Sequence, residues 1–252
     1  MVTDDSEQTG ALRDCEQQAG PQWDDQGHRR RWRAPAIAIG TIVAVIAALW
    51  LVGNATPVRP QPISDDVAGP VAGEPVDHYL ARARTSLDSA HGHRWALVAL
   101  TAPVSTDRAW TIISSAGPAQ LSAVALHVSV PDVQTPTSVM PVSSHAGLAA
   151  APQSAAWSVA ADAGPPSDPP TRTDQVARLV ATRLRAGGDM VIGFVVYADA
   201  ATLRGYSRHS QVRAVEALPA GTHGGMFAVI PLLPEQTVTV SPQPDFGPVP
   251  SA

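Results

Sequence analysis

Residues 190–197 read MVIGFVVY, an apolar run of strand length that contains no charged side chain. A short run rich in β-branched and aromatic residues, bounded by turn residues, is typical of a buried strand. Asp199 follows it and can cap a short helix that extends to about His209. Residues 212–218, VRAVEAL, then predict another strand, in which Arg213 and Glu216 interrupt the apolar pattern. Residues 190–218 therefore predict a strand-helix-strand unit.

A second stretch of the chain has the same plan. Residues 95–102, WALVALTA, predict a strand, Ser105 or Thr106 can cap a helix to about Ser115, and residues 121–130, LSAVALHVSV, predict the next strand. Two such units in tandem are what a ferredoxin-like split β-α-β sandwich requires. Right-handed crossovers would place both helices on one face of an antiparallel sheet. The fold class expected beyond residue 75 is therefore α+β. The repeat makes a ferredoxin-like sandwich one candidate form, although any α+β chain offers such pairs of units.

Two more helices are predicted around these units. One begins at Val76, and its apolar residues recur at three- and four-residue spacing through Leu87. The other is capped by Thr171 or Thr173 and ends at Gly187-Gly188, because glycine terminates helices readily. Residues 226–233 predict a last edge strand. The expected domain spans residues 76–233.

Three segments have no clear periodicity. Residues 131–170 are rich in Pro, Ser and Ala and are interpreted as an irregular insert. Residues 54–75 carry several prolines and predict a semi-extended stalk. Residues 234–252 predict a disordered Pro-rich tail.

Residues 34–53, APAIAIGTIVAVIAALWLVG, hold no charged residue and predict a transmembrane helix. Twenty helical residues span about 30 Å, the thickness of a bilayer's hydrocarbon core. The flanking residues 29–33, RRRWR, favour a disordered cytoplasmic tail over residues 1–33 and an extracytoplasmic C-terminal domain. The expected localisation is the cell membrane, with a single pass. A signal peptide cleaved after Ala55 is the alternative.

Composition excludes several reaction classes. The chain has 252 residues, a formal net charge of −5, and 17 basic residues, all of them arginine. Without lysine there is no Schiff-base lysine, no Walker A lysine and no Ser-Lys dyad. The one cysteine, Cys15, precedes the predicted anchor, so the expected outer domain has no disulfide and no thiol nucleophile. The acidic balance gives no reason to expect nucleic-acid binding.

No catalytic, cofactor-binding or metal-ligating residue is predicted. His91 and His93 could offer two imidazoles to a metal, but three or four ligands are the norm and no nearby cluster completes a set. His209 and His223 could approach each other around the last strand, although the spacing does not show it. Residues 222–225, THGG, are similar to an esterase oxyanion loop, but the G-x-S-x-G elbow that works with such a loop is absent.

The run RRRWR at 29–33, the apolar segment, the Pro-rich stalk and an Ala/Val/Arg-rich domain resemble single-pass membrane proteins of high-GC Gram-positive bacteria, of mycobacterial type. Residues 193–219, GFVVYADAATLRGYSRHSQVRAVEALP, look like a family segment within such proteins. This resemblance implies no assigned activity and carries over no site residues.

The expected function is a membrane-anchored extracytoplasmic binding module of the cell envelope, without catalysis. Its expected partners are the lipid bilayer and an envelope protein or cell-wall component. The alternative is an envelope hydrolase in which the fold brings a Ser or Asp to His127, His209 or His223. A third hypothesis is an oligomer formed through the predicted anchor.

Overall fold

The computed structural model describes residues 67–165 and 167–251. The helices within these ranges are α1 (Val76–Asp88), α2 (Thr106–Ser115), α3 (His145–Asp162), α4 (Arg172–Ala186) and α5 (Ala200–Ser207). The strands are β1 (Val67–Ala68), β2 (His93–Val104), β3 (Ala119–His127), β4 (Thr137–Pro141), β5 (Val191–Asp199), β6 (Val212–Ala217) and β7 (Ala228–Val229).

Five of these strands form one sheet in the order β4-β3-β5-β2-β6, and every neighbouring pair is antiparallel. Strands β2 and β3, which α2 connects, lie on either side of β5. Strands β5 and β6, which α5 connects, lie on either side of β2. The two units therefore interleave, which is the strand arrangement of a split β-α-β sandwich. β4 extends the sheet beyond β3, while β1 and β7 form a separate parallel pair.

The two crossover helices lie together over one face of the sheet. Phe194 of β5 meets Tyr206 of α5 edge to face, with 5.7 Å between ring centroids. The buried Tyr206 hydroxyl donates a 2.7 Å hydrogen bond to the carbonyl of Ile113 in α2. Burial raises the pKa of Tyr206 to about 12, so the phenol remains a donor at neutral pH. This bond joins the helix of one unit to the helix of the other.

Segments from the N-terminal and C-terminal ends of the domain cover the opposite face of the sheet. The β1–β7 pair packs over Leu97 of β2 and Val195 of β5. Helix α1 packs with Leu232 and Val240 over Ala99, nearer the β6 edge. The central strand β5 therefore alternates its side chains between two apolar layers, which explains why residues 190–197 read as a continuous apolar run.

Four helices begin at a residue whose side chain accepts the backbone N–H three positions later. These caps are Ser105, Ser144, Thr171 and Asp199. The structure thus selects Ser105 over Thr106 and Thr171 over Thr173. Thr171 and Asp174 form a reciprocal capping box, which satisfies two backbone donors at once.

The expectation of an irregular insert over residues 131–170 is wrong for much of that segment. It contains β4, which pairs with β3, and the 18-residue helix α3. α3 is rich in alanine, contains Pro152, and carries apolar residues around most of its circumference, so it shows no amphipathic period. Burial against α4 and the sheet stabilises α3, although no helical period in its sequence indicates a buried face.

The C-terminal segment also differs from expectation. Residues 226–233 contribute only the two-residue strand β7, which pairs with β1 rather than with the main sheet. Beyond residue 233 the chain lacks regular elements, yet Val240 is buried and Thr239 bridges to Pro75. The predicted disordered tail is therefore corrected, for residues 234–251, to a segment packed on the domain. Of the predicted stalk, residues 67–75 are described, and they pack as β1 and the approach to α1.

No helix within residues 67–165 and 167–251 is both long and apolar enough to cross a bilayer. The predicted transmembrane helix, residues 34–53, lies outside the described ranges, as do the predicted cytoplasmic tail and Cys15. The fold class is accordingly corrected to α+β with an antiparallel sheet. The single-pass membrane fold and the membrane localisation predicted from the sequence are not retained.

Candidate functional site

A basic cleft lies between α1, α5 and β6, with a volume of about 360 Å³. Four arginines line it: Arg84, Arg204, Arg208 and Arg213. Asp88 is the one acidic residue in this lining. The cleft therefore gathers four of the chain's 17 basic residues, although the chain as a whole carries a net charge of −5.

Local sequence explains this clustering. Arg204 and Arg208 are four residues apart, so they fall on the same side of α5 at its C-terminal end. Arg84 follows Ala83, which lies on the buried face of α1, so the arginine lies beside that face. Arg213 is the second residue of β6, at the edge of the sheet next to α1.

Two of the four arginines have structural partners. Arg204 donates from Nη2 to the carbonyls of Leu87, Asp88 and Ala90, the nearest at 2.9 Å, and so closes the C-terminal end of α1. Arg213 donates to three carbonyls of the segment 233–236, the nearest at 2.6 Å. These partners are neutral oxygens, so they satisfy the donors without neutralising the guanidinium charges.

The other two are free. Within residues 67–165 and 167–251, the guanidinium groups of Arg84 and Arg208 have no hydrogen-bond or ion-pair partner, and both residues are exposed. Burial lowers the pKa of Arg213, but an arginine remains charged at neutral pH. The cleft thus presents two unpaired guanidiniums in the field of two more, with Asp88 as the only opposing charge in its lining.

A second polar constellation surrounds His127, at the end of β3. Its Nε2 lies 3.1 Å from Oε1 of Glu235, and its Nδ1 lies 3.2 Å from the hydroxyl of Thr137 on β4. The His127 side chain is 0% exposed and that of Glu235 is 33% exposed. Gln243 donates a further hydrogen bond to the same oxygen of Glu235. The fold therefore assembles a carboxylate, an imidazole and a hydroxyl in a chain.

The carboxylate of Glu235 determines which group donates in each of these hydrogen bonds. Burial acts to raise the pKa of Glu235, but the hydrogen bond from His127 outweighs it, so that pKa lies below its ordinary value. The ionised carboxylate can only accept, so Nε2 of His127 donates to it. In the neutral ring Nδ1 then carries the lone pair, and the Thr137 hydroxyl donates to that nitrogen.

A third cluster holds the covered face together. Glu216 accepts from Nη1 of Arg82 at 2.5 Å and from the backbone N–H of Gly69 at 2.6 Å. Arg82 also bonds Glu74 and stacks on the Tyr79 ring at 5.2 Å. These contacts join α1 and the segment before it to β6, which is a structural role.

The other residues considered from the sequence lie apart. His93 packs against Tyr197, with 5.6 Å between ring centroids. His209 accepts from the backbone N–H of Gln211 rather than contacting His223. Residues 222–225 lie in the turn region before β7. In the described part of the chain, no group of three or more His, Cys, Asp or Glu residues is placed to hold a metal ion.

His127 is a candidate from the sequence alone, but Glu235 and Thr137, which are separated from it by 108 and 10 residues, were not predicted. The cleft arginines were not predicted either. The spacing of Arg204 and Arg208 was the available signal, but Arg84 and Arg213 join them only because α1 packs beside β6.

Comparison of the chain with protein-family models, with curated proteins and with solved structures finds no match in any of the three. The function of this chain is therefore inferred from the geometry of these sites.

Proposed function

We propose that this protein is a binding module whose basic cleft takes a ligand carrying an oxyanion, a phosphate or a carboxylate. The observation that supports this most directly is the pair of unpaired guanidiniums, Arg84 and Arg208, in a cleft of about 360 Å³. Planar guanidinium groups match the geometry of phosphate and carboxylate, with two parallel donors to two oxygens.

The four arginines have two different roles in binding. Arg204 and Arg213 are held by backbone carbonyls, so their guanidinium groups are fixed in place and contribute positive electrostatic potential to the cleft. Arg84 and Arg208 are free to close on the ligand. Partial enclosure between α1 and α5 lowers the local dielectric, so each charge acts more strongly than on an open surface.

The test is a titration of the full chain with inorganic phosphate and with phenyl phosphate, followed by NMR of the backbone amides and arginine side chains. Saturable shifts are expected at α1, α5 and β6. Affinity should fall about tenfold or more in Arg84→Gln and in Arg208→Gln, because a charge-assisted pair contributes roughly 1.5–3 kcal/mol.

Arg178→Gln is the matched control, because Arg178 is an exposed arginine on α4 outside the cleft. It should leave the affinity unchanged. Two results would overturn the proposal: no saturable shift at the cleft in the wild-type chain, or equal weakening by the Arg178 and Arg208 substitutions.

A further inference from the structure

Strand β4 is the outermost strand of the main sheet, at the edge opposite β6. We infer that this edge is a dimer interface, in which β4 pairs antiparallel with β4 of a second copy of the chain. The two five-stranded sheets then join into one continuous sheet across a two-fold axis. This interface is separate from the basic cleft and does not depend on it.

The two edges of the sheet differ in how they are covered. Along β6, helix α1 packs beside the strand, and Oγ of Ser86 accepts the backbone N–H of Ala217 at 3.0 Å. On β4, by contrast, Val139 is 37% exposed and Pro141 is exposed as well. Within residues 67–165 and 167–251, no strand pairs with the outer side of β4. An uncovered strand edge offers its backbone groups to another chain.

The register of β4 against β3 shows which backbone groups face outward. The N–H of Val142 donates to the carbonyl of Ser122 on β3 at 2.9 Å, and in an antiparallel pair every second residue bonds in the same direction. Thr137, Val139 and Pro141 therefore direct their backbone groups away from the sheet. In the part of the chain that the structure describes, neither the N–H of Thr137 nor that of Val139 donates a hydrogen bond.

These outward groups match those of a second copy. A two-fold axis at Val139 places this residue opposite its counterpart, so that each donates its N–H to the carbonyl of the other. Thr137 of each copy then lies opposite Pro141 of the other and donates to its carbonyl. Proline has no N–H, but in this register it lies at the end of the paired segment, where it costs least. Both free N–H groups of each strand gain an acceptor, and the two Val139 side chains meet on one face.

The surface around β4 lacks the charged residues that block pairing at exposed strand edges. The chain has 17 basic and 22 acidic residues, yet residues 133–161 contain no Asp, Glu, Lys or Arg. This run includes β4 and continues into α3, which packs against β4. Near Thr137, Arg172 and Asp245 line the neighbouring cavity but pair with each other at 2.7 Å.

The absence of charge favours a second copy over a charged partner. A charged partner would find no opposite charge to pair with along residues 133–161, whereas a second copy presents the same uncharged surface. Depletion of charged residues is also what distinguishes the centre of a protein interface from the rest of the surface.

The first test is sedimentation equilibrium of the full chain, for which a dimer is expected. Val139→Pro removes an outward N–H from each copy without removing a bond to β3, and Pro141 shows that β4 accepts proline at an outward position. This substitution should raise the dimer dissociation constant at least about tenfold, because each copy loses a donor to a buried carbonyl. Val139→Thr is the matched control, since it keeps the N–H and the β-branched shape and should dimerise like the wild-type chain.

The second test locates the interface by cross-linking. In a Cys15→Ser background, which removes the chain's one cysteine, Val139→Cys should form a disulfide-linked dimer on mild oxidation. Directly opposed residues of this pair type have Cα atoms about 5.5 Å apart, which is within disulfide range. Val238→Cys in the same background is the control, because that position is 77% exposed but lies outside β4, and it should cross-link much more slowly.

Three results would each overturn the inference. One is a wild-type chain that sediments as a monomer up to its solubility limit. Another is a dimer that folded Val139→Pro leaves intact, which would place the interface elsewhere in the chain. The third is equal rates of cross-linking for the Val139→Cys and Val238→Cys variants, and this comparison decides the question if Val139→Pro fails to fold.

Discussion

Glu216 of β6 accepts a 2.5 Å charge-assisted hydrogen bond from Arg82 of α1, on the covered face of the sheet. Glu216 is only 4% exposed, whereas the Arg82 side chain is 44% exposed. Burial raises the pKa of Glu216, and the charge of Arg82 and the N–H of Gly69 oppose that rise without cancelling it. The carboxylate therefore depends on Arg82 to remain charged at this depth.

Arg82→Met should lower the free energy of unfolding at pH 7 by about 1–3 kcal/mol, because a buried acceptor loses its charged donor. The loss should shrink at pH 4. Without Arg82 the pKa of Glu216 rises further above its unfolded value, so the folded variant binds a proton more tightly and regains stability as pH falls. Urea unfolding at the two pH values measures both effects.

Glu74→Gln is the control for this measurement, because Glu74 is the second ion-pair partner of Arg82, at 3.1 Å. Removing its charge leaves the bond to Glu216 intact, so the change should stay below about 1 kcal/mol. Equal losses in the Arg82 and Glu74 variants would contradict the dependence of Glu216 on its guanidinium.

The caps of the two crossover helices should respond differently to acid. The N–H of Thr202 holds the pKa of Asp199 below its ordinary value, so the stability that Asp199 contributes is present above pH 3.8 and is lost as pH falls through the folded value. Ser105→Ala should cost about 1 kcal/mol at every pH, since a hydroxyl cap does not titrate in this range. Asp199→Ser should flatten the acid limb of the stability profile, as measured by urea unfolding from pH 7 to pH 2. An unchanged acid limb would exclude this role of the carboxylate.

Local signals in the sequence predicted most of the domain. The helix beginning at Val76 and the four strands of the two repeats show a clear apolar pattern, and Asp199 is a capping residue in its expected place. Helix α3 could not be predicted in the same way, because its apolar side chains surround the helix and it contains Pro152, a residue type that disfavours helix. Its formation depends on burial against α4, which is a tertiary effect.

The sites were less accessible to sequence reasoning than the fold. His127 was a visible candidate, but Glu235 comes from a segment whose prolines predicted disorder. Arg84 and Arg213 lie 129 residues apart and meet only through the packing of α1 beside β6. Long-range contacts between polar residues leave no periodic trace in a single sequence.

The packed C-terminal segment predicts a result that a disordered tail would not give. Val240→Ala should lower the free energy of unfolding by about 1–2 kcal/mol, because Val240 is only 7% exposed and contacts the cluster beneath α1. Val238→Ala is the control, since that side chain is 77% exposed and should change stability by less than about 0.5 kcal/mol. Urea unfolding of both variants makes the comparison. If both substitutions changed the free energy of unfolding by equally negligible amounts, residues 234–251 would be disordered rather than packed on the domain.

Gly193 lies where β2 approaches β5 too closely for a side chain. It pairs with Ala99 of β2 and Ala125 of β3, and a Cβ placed on it would lie 2.7 Å from the carbonyl oxygen of Val98. Gly193→Ala therefore forces backbone to move in the middle of the sheet and should lower the free energy of unfolding by about 1–3 kcal/mol, the usual range for overpacking.

Gly221→Ala tests whether that cost comes from crowding rather than from loss of a glycine. A Cβ at Gly221 meets no heavy atom within 4 Å, and the backbone there is not left-handed, so the change should stay within about 0.5 kcal/mol. Unfolding in urea, with hydrogen exchange at β2 and β5, separates the two variants: only the Gly193 substitution should speed exchange in these strands. If both variants behaved alike, β2 and β5 would have to lie farther apart than the 2.7 Å distance between a Cβ at Gly193 and the Val98 carbonyl oxygen indicates.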